Sequence, residues 1–160
     1  MTSHRHVPAV ESIASKIITR YSSYIMYSNT RLFSTEGNNA DERKSVTGPI
    51  YNVDDSNAPM VTLFTKDGCT LCDKVKDVLG SIKDKEEYNH SLRAIDITDD
   101  EHQDWYSKYK YDIPVLHIDG QYWIKHRLSE DEAITGLQEA KEGTFSSPPG
   151  EPDADKMERR

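Results

Sequence analysis

Residues 61–72 read VTLFTKDGCTLC, and this stretch decides the fold. Its first four residues are β-prone, and the Lys-Asp-Gly sequence at 66–68 ends the run. Beyond the first cysteine, apolar residues recur at the i, i+4, i+7, i+8 spacing of one helix face: Leu71, Val75, Val78, Leu79 and Ile82. The stretch therefore predicts a strand, a short loop and an amphipathic helix that begins at a Cys-x-x-Cys pair.

The pattern continues regularly to residue 143. Residues 92–97 form a second strand candidate, and residues 113–118 and 121–125 are predicted to pair as a hairpin, because Asp-Gly between them suits a tight turn. Two capping boxes predict the starts of two more helices, at Thr98 to Glu101 and at Ser129 to Glu132. We expect Trp105, Tyr106 and Tyr109 of the first of these helices to line the core or a groove wall. The order β-α-β-α-β-β-α predicts an α/β domain of three layers around a mixed four-stranded sheet.

Composition restricts both the size of this domain and the classes of function. Among 160 residues, 35% are hydrophobic and 30% are charged, so a core cannot extend along the whole chain. The net charge of -8 argues against a general nucleic-acid binder, which needs clustered basic residues. Two cysteines are too few for a disulfide scaffold or a zinc finger, and no run of about 18 apolar residues could span a membrane.

The two ends of the chain differ from its middle. Residues 1–35 hold four basic residues and one acidic residue with helical apolar periodicity, which is typical of an organellar transit peptide. The sequence RLFST at 31–35 resembles the site that the mitochondrial processing peptidase cuts, with removal after Phe33; an N-terminus without a targeting role is the alternative. We expect residues 36–59 to be a disordered linker, 60–143 the folded domain and 144–160 a disordered acidic, Pro-rich tail.

The spacing of Cys69 and Cys72 suits reversible disulfide chemistry. Positions i and i+3 of a helix share one face, so a small adjustment brings the two sulfurs into bonding distance. At the helix N-terminus, backbone N–H groups and the helix dipole favour the thiolate of Cys69 over its thiol. Cys69 is therefore the predicted attacking residue, and Cys72, inside the helix, the resolving one. A CxxC pair can also be half of a metal site, but the surrounding βαβ pattern favours a thioredoxin-like redox motif.

In these residues the chain resembles a glutaredoxin of the thioredoxin superfamily. The sequence Lys66-Asp67-Gly68-Cys69-Thr70-Leu71-Cys72 has the form Lys-x-x-Cys-x-x-Cys, and Ile113-Pro114 stands where that fold places an apolar residue before a cis-proline. The resemblance covers residues 60–142 and implies a thioredoxin-like fold. It also implies that Lys66, Ile113 and Pro114 contact the substrate, the backbone of Ile113 pairing with it, and that Cys69 and Cys72 form the redox disulfide.

The chain also departs from the usual glutaredoxin pattern. Thr-Leu replaces Pro-Tyr between the cysteines, and the Gly-Gly and acidic pair that hold glutathione after the fourth strand are replaced by residues 123–127, WIKHR. The chain is similar in this respect to a divergent glutaredoxin-like branch. His126 and Arg127 either bind a carboxylate or tune the thiolate near the cysteines, or form a surface pair at a strand end.

The resemblance implies a thiol–disulfide oxidoreductase that reduces protein disulfides or glutathione mixed disulfides. Two alternatives stay open: a module that holds an iron–sulfur cluster, and a thioredoxin-fold interaction domain without catalysis. We expect no tightly bound cofactor and no metal site in the oxidoreductase, with glutathione as a candidate reductant. The expected partners are disulfides or glutathione rather than nucleic acid or a membrane, the expected state is a monomer, and the expected location is the mitochondrial matrix, with the chloroplast or cytoplasm as alternatives.

Overall fold

A computed structural model describes residues 44–160, so the predicted transit peptide of residues 1–35 lies outside the described residues. The strands are β1 (Gly48–Tyr51), β2 (Met60–Thr65), β3 (Ser91–Asp96), β4 (Val115–Ile118) and β5 (Gln121–Lys125). The helices are α1 (Thr70–Ile82), α2 (Gln103–Tyr109), α3 (Glu130–Lys141) and α4 (Ala154–Glu158), with short 3-10 turns at Glu86–Tyr88 and Asp100–His102.

The five strands form one mixed sheet in the order β1-β3-β2-β4-β5. The central pair β2 and β3 is parallel, with α1 in the connection between the two strands, and the other neighbours are antiparallel. A tight turn joins β4 to β5, where Asp119 and Gly120 both have positive φ, at 49° and 82°. The predicted Asp-Gly hairpin is therefore confirmed.

Successive side chains of the central strands point to opposite faces of the sheet, which gives the domain three layers. One face packs Val61 and Leu63 of β2 against α1 and α3, in an aliphatic cluster that includes Cys72 and Leu79. The other face packs Phe64 of β2 in an aromatic cluster that includes the fully buried Tyr109 of α2. The predicted α/β thioredoxin-like fold is confirmed.

The buried face of α1 differs from the predicted face at its first position. Cys72, Val75, Leu79 and Ile82 are buried, whereas the side chain of Leu71 is 47% exposed. The apolar spacing predicted this helix correctly, but Cys72 rather than Leu71 begins its buried face. Leu71 is therefore an exposed apolar residue between the two cysteines.

The sheet has five strands rather than the predicted four. The additional strand is β1, which lies within residues 36–59, the range predicted to be a disordered linker, and pairs antiparallel with β3. Its order comes from contacts with distant residues: Tyr51 donates a hydrogen bond to Nε2 of the buried His90, and Val53 N–H donates to Ser91 Oγ.

Two other segments differ from their predictions. The capping box at Thr98 to Glu101 does not form, because the Thr98 hydroxyl and N–H both donate to Asp96, and α2 begins only at Gln103. The tail at 144–160 contains α4, and Pro152 and Ala154 within it are buried against the domain. The second capping box, at Ser129 and Glu132, is present as predicted. Across residues 44–160, the helices are too short or too polar to traverse a lipid bilayer.

Candidate active site

Cys69 is the N-cap residue of α1. Its backbone is extended, with φ -82° and ψ 94°, and its Sγ accepts a hydrogen bond from the Cys72 N–H at 3.3 Å. The sulfur thereby takes the place of the hydroxyl or carboxylate oxygen that caps most helices. A negative charge on this sulfur would be stabilised by that N–H group and by the helix dipole.

The two cysteines are joined, and they differ in exposure. Their Sγ atoms are 2.15 Å apart in a disulfide, and their Cα atoms are 5.3 Å apart. Cys72 is completely buried in the aliphatic cluster, whereas Cys69 is half-buried. A molecule arriving from solvent therefore meets the sulfur of Cys69 first.

The loop before Cys69 is exposed and depends on a glycine. Lys66, Asp67 and Gly68 are all exposed, and Gly68 has φ +69°, a conformation that costs a residue with a Cβ atom more than it costs glycine. Within the described part of the chain, the Lys66 ammonium forms no ion pair, so it is available to an anionic group of a ligand.

The segment before β4 presents backbone groups near this loop. The peptide bond between Ile113 and Pro114 is cis, as the resemblance implied. Ile113 is half-buried and packs, like Cys69, against the aliphatic cluster. Among residues 44–160, neither the N–H nor the C=O of Ile113 makes a hydrogen bond, which leaves both groups available to an extended peptide.

Three charged or titratable groups hold this segment in place. The Asp112 carboxylate, only 9% exposed, lies 2.6 Å from Lys125 Nζ and 3.1 Å from His126 Nε2. The His126 N–H donates to the Pro114 carbonyl at 2.7 Å, and His126 itself has φ +69°. The residues at the end of β5 thus contact Asp112, just before Ile113, and the carbonyl of Pro114. His126 and Arg127 are both exposed just after the end of β5, and His126 contacts Asp112 and Pro114.

A groove of about 590 Å³ extends from the Lys66 loop toward α2. It is lined by the side chains of two lysines and several polar or aromatic residues: Lys66, Asp67, Ile97, Thr98, Gln103, Tyr106 and Lys110. Tyr106 thus lies in a groove wall, whereas Tyr109 of the same helix lies in the core. The positive charges of Lys66 and Lys110 suit an anionic ligand.

Part of this site was predicted from the sequence. Lys66, Cys69 and Cys72 follow one another in a single loop and helix turn, and Cys69 and Ile113 contact one cluster. The contributions of Lys110 and Asp112 were missed. Both lie at the end of α2, and only the tertiary structure brings them to the groove and to the Ile113–Pro114 segment. Within residues 44–160, no group of three or more His, Cys, Asp or Glu side chains is arranged to hold a metal ion.

The fold and the cysteine pair define a thioredoxin-fold protein with a CxxC site at the start of its first long helix. Residues 60–138 match the family model described as a glutaredoxin-like domain (DUF836). A curated glutaredoxin-like protein of Dictyostelium discoideum is 29% identical over 80 residues, which are 49% of this chain and 74% of that relative. The family model and this relative support a glutaredoxin-like protein of the thioredoxin superfamily. This family and the adjacent cysteines fit a thiol redox role.

Proposed function

We propose that the protein is a thiol–disulfide oxidoreductase that reduces protein disulfides or glutathione mixed disulfides through Cys69 and Cys72. The observation that carries this proposal is the asymmetry of the pair: a half-buried sulfur at a helix N-terminus lies within bonding distance of a fully buried one. This arrangement gives the two cysteines different tasks.

Cys69 makes the first attack. Its thiolate bonds to one sulfur of a substrate disulfide, and the other sulfur leaves with the electron pair of the broken S–S bond and takes a proton from solvent. The Cys72 N–H, which donates to Cys69 Sγ, and the dipole of α1 favour the thiolate in this step. The N–H and C=O of Ile113, which make no hydrogen bond within residues 44–160, would pair with the substrate backbone, and Lys66 would attract an acidic group of the substrate.

Cys72 completes the reduction. Its thiolate attacks Cys69 Sγ, the Cys69–Cys72 disulfide forms, and the second substrate sulfur leaves as a thiolate and is protonated. The substrate has then gained two electrons and two protons, and the cysteine pair has lost them. Two molecules of glutathione, or one molecule of a dithiol, would return the pair to the reduced state by thiol–disulfide exchange and would themselves end as a disulfide.

Single-cysteine variants test this division of tasks. We expect Cys69→Ser to abolish turnover of bis(2-hydroxyethyl) disulfide in the presence of glutathione, because the attacking sulfur is lost. Cys72→Ser should keep activity on glutathione mixed disulfides, since glutathione itself can resolve the intermediate on Cys69. The measurement is NADPH consumption coupled through glutathione reductase.

Thr70→Ser is the matched control, because it changes a residue between the cysteines without removing a sulfur. Its activity should stay close to that of the unsubstituted protein. Equal partial losses in Cys69→Ser and Cys72→Ser would contradict the assigned roles. A wild-type protein inactive on both small and protein disulfides would contradict the proposed function itself.

We also propose that residues 1–35 direct the protein to the mitochondrial matrix. Four basic residues against one acidic residue, with apolar periodicity, support this location. A fusion of residues 1–35 to a fluorescent protein should be imported and shortened by isolated mitochondria. Replacement of Arg31 by Gln in the fusion should reduce cleavage, whereas an unprocessed fusion that stays outside would contradict the proposal.

A further inference from the structure

The C-terminal segment, residues 144–160, lies beyond the residues that match the family. Phe145 packs against the aliphatic cluster, and α4 packs against α2 on the other side of the sheet. Ser147 Oγ donates a hydrogen bond to the Tyr122 carbonyl at 2.8 Å, and Pro152 and Ala154 are buried. This segment therefore has a defined path across the molecule rather than the character of a free tail.

Glu151 fastens the middle of this path to α2. The Tyr109 hydroxyl donates a hydrogen bond to Glu151 Oε1 at 2.5 Å. Lys108 Nζ forms an ion pair with the same carboxylate oxygen at 3.5 Å. Burial, followed by this hydrogen bond, raises the pKa of Tyr109, so its hydroxyl stays protonated and able to donate. These two contacts fix the position of Glu151, and the following helix α4 packs against α2.

Glu158 of α4 contacts a residue that lines the groove. Its carboxylate lies 2.9 Å from Lys110 Nζ and accepts a hydrogen bond from the Tyr111 hydroxyl at 2.8 Å, and Asp155 lies 3.9 Å from the same ammonium. The contact with Lys110 lowers the pKa of Glu158 and raises the pKa of Lys110, so both groups are charged at neutral pH. One of the two lysines of the groove is therefore neutralised by the chain's own C-terminus.

The two lysines differ in this respect. Lys66 is exposed and without an ion-pair partner among the described residues, whereas Lys110 has only 17% of its side chain exposed. The Glu158 side chain is 47% exposed, and ion pairs of this exposure are weak. An anion that enters the groove and contacts Lys66 can therefore compete with Glu158 for Lys110.

We propose that Lys110 determines the preference of this protein for anionic disulfides, and that Glu158 competes with the substrate for it. This proposal rests on the proposed function. The substrate class that it names is a disulfide with carboxylates close to its sulfur atoms. The C-terminal segment would then reduce the affinity for such substrates without touching the cysteines.

The first test compares an anionic and a neutral disulfide. The reduced full-length protein is mixed with oxidised glutathione or with bis(2-hydroxyethyl) disulfide, and the remaining protein thiols are trapped with time. We expect Glu158→Gln to raise the second-order rate constant for oxidised glutathione about two- to fivefold at low salt. The rate constant for the neutral disulfide should not change. Lys110→Gln should slow only the reaction with oxidised glutathione, and the double variant should behave like Lys110→Gln.

Glu142→Gln is the control, because it removes the same charge from an exposed residue at the end of α3, on the other side of the sheet. An equal increase of the rate constant in Glu142→Gln would show that the effect comes from the net charge of the protein, and it would overturn the proposal. The proposal also fails if Glu158→Gln changes both disulfide reactions equally or changes neither. High salt should remove the difference, since about 1 M salt shortens the screening length to about 3 Å.

A second measurement does not depend on turnover. S-methylglutathione, which has carboxylates but no free thiol, is added to the oxidised protein, and hydrogen exchange is followed at the Met157 and Arg159 amides of the C-terminal helix. Displacement of Glu158 should speed this exchange in the wild type and not in Lys110→Gln. If the wild type reacts with neither disulfide, the proposed function fails and this exchange still decides the competition. Unchanged exchange at saturating S-methylglutathione overturns the competition even in an active enzyme.

Discussion

The face of the sheet that packs against α1 and α3 is lined mainly by aliphatic side chains, with Trp123 among them, whereas aromatic rings make up most of the cluster on the α2 face. On the first face, Leu63, Leu79 and Leu137 are fully buried. On the second, the Phe64 ring lies 4.5 Å from that of Trp105 and 5.0 Å from that of Tyr109, measured between centroids. The cysteine pair belongs to the first face, and Glu151 and α4 of the C-terminal segment contact α2 on the second.

The difference lies in what each face requires of its neighbours. Aliphatic side chains gain stability from leaving water and need no directed partner, so the face behind Cys72 can remain closed and unchanged during the redox exchange proposed above. Tyr109 and His117 have polar atoms that need partners when buried. The Tyr109 hydroxyl donates to Glu151, and the same hydroxyl oxygen accepts from His117 Nε2 at 2.9 Å when His117 is neutral. The aromatic face therefore binds the part of the additional segment around Glu151.

The largest expected effect is on the aliphatic face. Leu79→Ala should lower the free energy of unfolding by about 2–5 kcal/mol, because it leaves a cavity among fully buried neighbours. Denaturant unfolding measures this loss. Leu71→Ala makes the same change in the same helix at a side chain that is 47% exposed, and should cost less than about 0.5 kcal/mol. Similar losses in both variants would contradict the assignment of the buried face of α1.

A smaller effect is expected from removing one hydroxyl on the aromatic face. Tyr109→Phe should lower the free energy of unfolding by about 1–3 kcal/mol, because Glu151 and His117 each lose a buried partner. Unlike Leu79→Ala, it should also speed hydrogen exchange in α4. Tyr106→Phe is the control in the same helix, since Tyr106 is 41% exposed and its hydroxyl makes no hydrogen bond within residues 44–160. Slow exchange in α4 of Tyr109→Phe would show that the segment is held by other contacts.

The smallest expected effect is a pH dependence that comes from buried histidines. Burial lowers the pKa of His117 on the aromatic face, and of His90 before β3, below the ordinary value of 6.5. Their contribution to stability is present above pH 6.5 and is lost as the pH falls from 6.5 through the lower pKa of the folded state, because the unfolded chain then binds protons that the folded chain does not. His117→Gln should flatten this fall in unfolding experiments between neutral and mildly acidic pH. An unchanged slope would mean that His117 is protonated in the folded protein.

The sequence predicted best where the signals are local. The apolar spacing after Cys69, the reciprocal Ser129 and Glu132 contacts and the Asp-Gly turn each lie within a few residues, and each is present. At Thr98 a local signal was misleading, because Asp96 two residues earlier binds its hydroxyl and N–H first. Competing partners of this kind are not visible in a motif.

The parts of the fold and site that were missed depend on contacts between distant residues. Strand β1 follows no alternation of apolar and polar residues and is held by β3, about forty residues away. The C-terminal segment reads as polar and Pro-rich, and its order depends on Glu151 reaching Tyr109 and Glu158 reaching Lys110. The position of Lys110 in the groove could not be predicted either, since it depends on how α2 packs.

Strand β1 also has a consequence for the behaviour of the protein in concentrated solution. Without it, β3 would present its unpaired N–H and C=O groups at the border of the sheet, where another chain could add a strand and begin an aggregate. β1 has only four residues, contains Pro49 and has a register shift between Pro49 and Tyr51. A strand so short and irregular is a poor template for further pairing. The four residues of β1 thus cover the edge of β3, and the new edge of the sheet is one to which a further strand does not readily pair.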